Sequence, residues 1–403
     1  MGRPKGSKNK PKVENIAPST YSIKMEKQIL GTPIMRQNMS DNIINYGQRN
    51  DYPFKLIDLY INSVTHKACI DFAVNAIVGG GVEIDMEVPQ PNYYTDWNTF
   101  IRAIAFDYTL YGGFAFQIIK NKDNKTYSFF NQPFETIRFE PMDEDGVIEY
   151  CQVSADWTAK QKYPPVRIPI FGFQEDEEIK QGQVYMFVYI SPNPVSRYYP
   201  IPSYIGGLKA IQAEVEYQNY DLKSITNGFV GAGSISLPPV GSEQQKQAII
   251  NNIQSMFTGS DNANSILVFF REDSEDTPVE FTPFSSNGGM VDLYEAANDR
   301  CVNRICEAHK ISSRGLIGMP MDNSGFSDSG SLMESAYQIY NTNVASSARV
   351  VILSAINNLF ALNGVEVEIN LKPLSYITPE ISAEPTTQTQ DEEEVTERED
   401  NTI

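Results

Sequence analysis

The chain has 403 residues, a hydrophobic content of 41% and 22 tyrosines, a composition typical of a folded protein with two or three domains. Its formal charge of −19 is uneven: residues 1–12 carry five positive charges, residues 380–403 carry −8, and the body between them holds the remaining −16. This charge excludes ordinary DNA binding by the body, because that binding depends on neutralising phosphates with lysine and arginine. No apolar run approaches the roughly 20 residues of a membrane span and no signal-peptide pattern is present, so we expect a protein made in the cytoplasm without a membrane partner.

The N-terminal segment, residues 1–49, divides into a basic arm and an irregular stretch. Residues 1–12 are rich in Gly, Pro and Lys and cannot form a core, so we expect a disordered arm. Residues 13–49 mix polar and apolar side chains without a helix or strand period. The positive charges of the arm belong to Arg3, Lys5, Lys8, Lys10 and Lys12.

Residues 50–202 show the pattern of an α+β domain. Helical spacing runs from Leu56 to Ile77 and stops at the glycine triplet 79–81, which we interpret as a helix end because no lysine–serine pair follows it. A second helix, capped by Thr95-Asp96, extends to Tyr111. Short apolar runs then predict strands at Phe114–Lys120, Thr126–Phe130, Thr136–Phe139, Val147–Val153, Val166–Phe171 and Val184–Ile190.

A long helix without catalytic groups follows in residues 203–230. Tyr199-Pro200-Ile201-Pro202-Ser203 leads into it and Asn227-Gly228 ends it. One apolar stripe runs along the helix, with Glu214 and Glu216 among the polar residues on its other side. The stripe predicts packing against a neighbour, through Leu208, Ile211, Val215, Leu222 and Ile225.

Residues 231–284 predict a small β-α-β-β module, with strands at Ser234–Leu237, Ser265–Phe270 and Val279–Phe284 and a helix capped by Ser242. A charged turn joins its last two strands and contains Arg271, Glu272, Asp273, Glu275 and Asp276. A second long helix occupies residues 285–310, with a stripe that includes Leu293, Ala297 and Ile305.

Residues 311–375 hold a loop, a long helix and a last strand. The loop is rich in glycine and serine and contains Asn323, Ser324, Gly325, Phe326, Ser327, Asp328 and Ser329. Ser331 and Glu334 have the spacing of a capping box for a helix that runs to Asn363, and Val365–Leu371 has the pattern of a strand. The acidic tail, residues 376–403, is expected to be disordered.

Catalytic motifs are absent from the sequence. It contains no GxxxxGK[ST] phosphate loop, no GxSxG nucleophile motif and no HExxH zinc motif. His66 and His309 lie on separate predicted helices and the four cysteines show no CxxC spacing, so we expect structural roles for these residues, and no metal or cofactor. The alternative is a metal-dependent enzyme acting on nucleic acid, with Asp273, Glu275 and Asp276 around the metal.

The order of these parts resembles the portal, or head–tail connector, proteins of tailed bacteriophages over roughly residues 45–372. The Tyr/Pro entry at 199–203 is similar to the family's entry into a stem helix, and Arg304–Gly318 (RICEAHKISSRGLIG) is similar to its returning stem helix and turn. Ser312-Ser313 stands where many members have two prolines, which predicts a looser turn here. Another virion structural protein, such as a head–tail adaptor, is the second alternative, although those proteins lack a module inserted between two long helices.

The resemblance implies a structural protein of the virion and not an enzyme. It implies a wing at residues 50–202, stem helices at 203–230 and 285–310, a clip at 231–284 that faces the terminase or adaptor, and a tunnel loop and wing or crown return at 311–375. It also implies a ring of about twelve copies at the capsid portal vertex. The implied partners are the terminase large subunit, a head–tail adaptor, the major capsid protein with a scaffold, and translocating double-stranded DNA bound without sequence preference.

Overall fold

The computed structural model describes residues 20–22, 30–84, 88–123, 125–172, 182–226, 233–238, 240, 242–257, 266–270, 280–283, 289–319, 329–365, 367, 369–372 and 374. The helices α1 to α8 span Tyr52–Asn62, Val64–Val78, Trp97–Tyr111, Leu208–Thr226, Glu243–Phe257, Gly289–Ala308, Ser329–Tyr340 and Ser346–Leu362. The strands β1 to β14 span Thr20–Ser22, Met35–Asn38, Ile43–Tyr46, Val82–Glu83, Gly113–Lys120, Tyr127–Asn131, Ile137–Phe139, Tyr150–Val153, Val166–Pro169, Val184–Ile190, Gly233–Leu237, Ile266–Phe270, Glu280–Pro283 and Asn370–Leu371.

The mixed α+β class is confirmed. The main domain, formed by residues 50–202 together with α8, combines a helical layer with two small antiparallel sheets. In one sheet β5 lies between β10 and β6, and in the other β8 lies between β7 and β9. Helices α2, α3 and α8 pack with β5 around one hydrophobic core. Trp97 on α3 contacts Phe360 on α8 edge to face, with ring centroids 4.7 Å apart.

Local capping chemistry sets the ends of the first helices. Asp96 Oδ1 accepts a hydrogen bond from the Thr99 amide at 2.7 Å, as the predicted cap requires, and Gly112 ends α3 in the left-handed conformation after Tyr111. The continuous spacing from Leu56 to Ile77 is two helices, because Ser63 is extended (φ −96°, ψ 116°) and caps α2 by accepting from the His66 amide. A single extended residue between two helices leaves the helical spacing of apolar residues unchanged, so that spacing alone does not reveal the break.

The strands predicted between residues 114 and 190 hold to within two residues, apart from one start that shifts for a local reason, whereas the strand predicted at Val365–Leu371 is present only as β14. Strand β8 begins at Tyr150 rather than Val147. Asp143 Oδ1 accepts hydrogen bonds from the amides of Asp145 and Val147. Val147 therefore completes the preceding turn and does not start the strand.

The stretch interpreted as irregular, residues 13–49, contains paired strands, so that interpretation is wrong. Strands β2 and β3 form an antiparallel hairpin, and Arg138 on β7 fixes the loop behind it by donating to the Asn50 carbonyl at 2.9 Å. Strand β1 pairs with β12, with Thr20 opposite Phe269. The β1–β12 pairing joins residues far apart in sequence, and β2 and β3, at four residues each, are too short to show a clear period.

The inserted module has the predicted β-α-β-β order and one strand more. Its sheet has the order β1-β12-β11-β13, so the N-terminal strand covers the outer edge of β12. The module's helix α5 begins after Ser242, whose Oγ accepts from the Gln245 amide at 3.3 Å, as the predicted cap requires. The long helices α4 and α6 bracket this module in the chain.

The C-terminal helical segment begins at Ser329, so the predicted cap Ser331 lies inside its first turn. A π-helical turn at Asn341–Ala345 joins α7 to α8. Arg349 fixes α8 against the C-terminal end of α2 by donating to the carbonyls of Ala76 and Ile77, a favourable place for a cation beside a helix terminus.

One helix of the described chain, Ser331–Leu362, is long and apolar enough by length and composition to cross a membrane, contrary to the sequence estimate. Interspersed Ser and Asn residues hide it from a search for uninterrupted apolar runs. Of its most apolar 18-residue window, 39% is buried within the chain. Its buried face enters the core through Ala348, Ile352 and Ile356, so the segment packs as a core helix with one open face.

Candidate functional site: the helix pair and its base

The helices α4 and α6 pack against each other, and their predicted apolar stripes differ in exposure along their length. Leu208, Ile211 and Ile305 are fully buried in the chain's own core. Val215 packs against that core while remaining half-buried, and Leu222 is 63% exposed. The α4 stripe therefore packs within the chain at the base of the helix pair, and within the described part of α4 it is exposed at the tip.

Several other residues of the predicted sites lie partly or wholly outside the described residues. Ala297 on α6 is half-buried. The side chains of Ile225, Leu293 and Ser329 lie outside the described residues, although their backbones are helical. The basic arm, the charged turn at 271–276, the loop at 323–328 and the acidic tail also lie outside them.

A buried glutamate anchors α4 to the junction of α1 and α2. Glu214 is only 4% exposed, so its placement on the polar side of the helix is wrong. Its carboxylate accepts from the Ser63 hydroxyl, from Thr65 Oγ1 at 2.6 Å and from the Thr65 amide at 3.2 Å. The N-terminal end of α2 favours a negative charge, which explains why this carboxylate is held there.

The two histidines meet across the base of the helix pair. His66 Nδ1 on α2 lies 2.9 Å from His309 Nε2, just beyond the end of α6, so one imidazole donates a hydrogen bond to the other. The ring of Tyr204 packs against both, with centroids 4.6 Å from His66 and 4.8 Å from His309. Both rings are buried in the subunit, and their contact was not predicted from the sequence.

Cysteines lie one turn from each histidine. Cys69 and Cys306 are buried, free and hydrogen-bonded to each other, and this contact together with burial raises the pKa of the Cys69 thiol. The spacing is the same on both helices, with three residues from His66 to Cys69 and from Cys306 to His309. Within the described ranges, no group of three or more His, Cys, Asp or Glu side chains is arranged to hold a metal.

The histidine pair predicts a loss of stability in acid. Burial lowers the pKa of His309 to about 3, below the 6.5 of an exposed histidine, and burial also lowers the pKa of His66. Between these values the unfolded chain binds more protons than the folded one, so the free energy of unfolding falls as pH falls below 6.5. At pH 5 the expected loss from His309 is about 2 kcal/mol.

Urea denaturation at pH 7 and pH 5 measures this loss. The variant His309→Gln provides the reference, because it keeps a polar side chain that does not titrate. The variant should lose less stability than the wild type between the two pH values. Equal losses would contradict the assignment to the histidine pair.

The Tyr/Pro segment at the entry to α4 is tied to the main domain by its phenol groups. Tyr199 OH donates to the Ile44 carbonyl at 2.5 Å and accepts from the Phe139 amide at 3.0 Å. Tyr204 OH donates to the Leu110 carbonyl at 2.7 Å. Tyr46 stacks on Tyr199 with centroids 4.2 Å apart. The base of the helix pair is therefore hydrogen-bonded to the hairpin, to β7 and to α3.

A close approach of backbone and side chain also fixes the base. A Cβ built on Gly207, in the turn before α4, would lie 2.5 Å from the Ala308 Cβ at the end of α6. The neighbouring Gly206 has nothing within 4 Å of the same position. A glycine at 207 is thus required for the two helix ends to touch.

These two glycines form a matched pair for mutation. We expect Gly207→Ala to lower the free energy of unfolding by about 1–3 kcal/mol, because the added methyl group forces the helices apart. Gly206→Ala should have an effect within about 0.5 kcal/mol, since its side chain enters open space. Thermal and urea denaturation of both variants provide the measurement, and equal effects would contradict the packing described.

The turn after α6 is held by Arg314, in place of the looser turn expected from Ser312-Ser313. Arg314 Nη1 lies 2.7 Å from Asp299 Oδ1, and its Nε donates to Asn303 Oδ1 at 3.0 Å. Ser313 Oγ accepts from the Gly315 amide. Gly318 then ends the turn in the left-handed conformation.

The fold of the chain has a counterpart among solved structures. A chain in the neck of an empty gene transfer agent (GTA) particle, computed with C6 symmetry, matches with a TM-score of 0.51 at 12% identity, over 79% of this chain and 84% of that chain. The chain shares its fold with a GTA neck chain.

Two further structures match less well. A chain from the virion of a native GTA particle gives a TM-score of 0.48 at 14% identity, over 80% of this chain and 83% of that chain. A chain from the neck of a native GTA particle, computed with C12 symmetry, gives 0.47 at 13% identity with the same coverage. No protein-family model and no curated protein matches the sequence. The shared fold agrees with the resemblance to portal proteins.

Proposed function

We propose that this chain is a portal protein, a virion component that forms a ring-shaped channel at one capsid vertex. The ring would pass DNA during terminase-driven packaging and during ejection, and would join the head to the tail. One observation carries the proposal: two long packed helices bracket an inserted module in a fold shared with a GTA neck chain. In this assignment α4 and α6 form the stem, the β11–β13 region forms the clip, and residues 50–202 form the wing.

Exposed apolar side chains support assembly into a ring. Leu222 on α4 is 63% exposed, and Leu332, Ile339 and Val350 on the C-terminal helical segment are more than half exposed (56%, 56% and 67%). Neighbouring copies would bury such side chains across a repeated heterologous interface, which closes into a ring. The matched GTA neck was computed with C6 symmetry, and the proposed ring of twelve copies is compatible with a sixfold axis.

The charge distribution supports a conduit for DNA. The body carries −16, and like charge prevents the phosphate contacts that would hold a moving duplex. The glycine- and serine-rich loop at 323–329 is proposed to face the duplex, and the charged turn at 271–276 to face the terminase large subunit and later the head–tail adaptor. The major capsid protein, with a scaffold during assembly, would surround the wing.

Electron microscopy of the purified chain, with mass photometry over a range of concentrations, tests the proposal. We expect closed rings with a central hole and a mass near twelve subunits. A monomer that persists at high concentration would overturn the assignment. Particles without a stem and hole would favour another virion structural protein, and metal-dependent cleavage of DNA would favour the nucleic-acid enzyme.

A further inference from the structure

A cleft in the main domain has an acidic floor that the proposed function does not use. The cleft has a volume of about 770 Å³ and lies between α1, α2, α3 and residues 131–135. Ile57, Tyr60 and Phe106 provide part of its apolar wall. Asp107, Asn131 and Glu135 bring oxygen atoms to the same cleft.

Two of these oxygens are buried without a donor. Asp107 is 5% exposed, and its Oδ2 accepts no hydrogen bond from any described residue. Asn131 Oδ1 is also buried and accepts no hydrogen bond from any described residue. Buried polar atoms in folded proteins nearly always have a partner, so these two acceptors are available to a cation or a donor that enters the cleft.

Two nearby groups interact with the Asp107 carboxylate. The Phe134 amide donates to the Asp107 carboxylate, and the nearby Glu135 carboxylate interacts with it electrostatically. Glu135 Oε2 accepts from Tyr111 OH at 3.1 Å. A cation bound between two carboxylates in a partly desolvated cleft would offset the cost of burying their charge.

The other charged side chains of the cleft are already engaged. Asp71 Oδ1 accepts from Tyr60 OH at 2.8 Å, and Asp71 Oδ2 pairs with Lys67 Nζ at 3.0 Å. Arg102 Nη1 donates to Asn75 Oδ1 at 2.8 Å. The unsatisfied oxygens are thus confined to Asp107 and Asn131, beside Glu135.

We propose that this cleft binds a divalent metal ion, with Asp107, Glu135 and Asn131 as its protein ligands. Carboxylate and amide oxygens are the donors that hard cations prefer, and Ca²⁺ accepts six to eight such oxygens in a flexible geometry. The set contains two carboxylates and one amide, which is why a search for three His, Cys, Asp or Glu side chains does not find it. Water entering the open side of the cleft completes the coordination. The site lies within one chain and does not depend on ring formation.

Calcium titration of the purified full-length chain tests this site. We expect saturable binding of one Ca²⁺ per chain by isothermal titration calorimetry, and Tb³⁺ luminescence sensitised by Tyr111. Asp107→Asn should weaken binding of both ions by about tenfold or more, because losing even an outer-shell partner of a metal site has an effect of this size. The matched control Asp71→Asn alters a carboxylate of the same cleft that is already paired, and should bind as the wild type does.

Thermal unfolding separates binding from a folding defect. Added Ca²⁺ should raise the melting temperature of the wild type and of Asp71→Asn, because a ligand that binds only the folded state stabilises it. It should leave the melting temperature of Asp107→Asn unchanged. The absence of saturable Ca²⁺ binding to the wild type would overturn the proposal, as would equal binding by the two variants. An infrared band of a protonated carboxyl at pH 7 in calcium-saturated wild type, lost in Asp107→Asn, would also overturn it, since the neutralising group would then be a proton.

Discussion

Replacing Leu222 with aspartate should abolish ring assembly while leaving the unfolding of the single subunit unchanged. The side chain is 63% exposed on α4, so within one chain the substitution is a surface change worth less than about 0.5 kcal/mol. In the proposed ring the same side chain is buried against a neighbouring copy, where an unpaired carboxylate costs several kcal/mol. Because every subunit repeats the interface, the penalty applies at each contact around the ring.

Two further variants sharpen this test. Leu222→Met keeps an apolar side chain of similar volume and should keep the ring. Val215→Asp should damage both the ring and the subunit, because Val215 packs against the core of its own chain. Mass photometry reports the assembly and urea denaturation reports the subunit. Rings of normal mass and concentration dependence in Leu222→Asp would show that the tip of α4 is not an intersubunit contact.

Replacing Glu214 with alanine should have the largest effect on the subunit itself. The substitution leaves the Ser63 hydroxyl, the Thr65 hydroxyl and the Thr65 amide without their acceptor, and the expected loss in free energy of unfolding is about 3 kcal/mol. Glu214→Gln retains one acceptor oxygen and should lose about half as much. The damage should begin where α4 meets the α1–α2 junction.

Hydrogen exchange and urea denaturation measure this effect. Amides at the start of α2 should exchange faster in Glu214→Ala than in the wild type. Asp221→Ala, an exposed acid further along α4, serves as the control and should change stability by less than about 0.5 kcal/mol. Equal stability of the two variants would mean that the buried carboxylate does not anchor the helix.

Local chemistry in the sequence predicted most of the elements. Asp96 and Gly112 bound α3 as their capping preferences require, and alternating apolar residues located strands such as β10 within the predicted limits. The order of a long helix, an inserted module and a returning helix was also readable, because each part is marked by glycine, proline or a helix cap. That order carried the resemblance to portal proteins.

The contacts that hold the candidate site together were not readable, because they join residues far apart in the chain. Glu214 follows the polar pattern of α4, and only the fold reveals its partners Ser63 and Thr65. His66 and His309 are separated by 243 residues, so neither indicates the other. The apolar stripe of α4 suggested one continuous seam, whereas the structure divides it into a buried base and an exposed tip at Leu222.

The pairing of β1 with β12 has a consequence for the order of folding. Thr20 pairs with Phe269, so the N-terminal strand leaves the ribosome long before its partner exists. Closing the long loop between these strands costs chain entropy. A strand of three residues forms only a few hydrogen bonds to offset that cost. The strand therefore joins the sheet late during synthesis, and until then the outer edge of β12 is open to pairing with another chain.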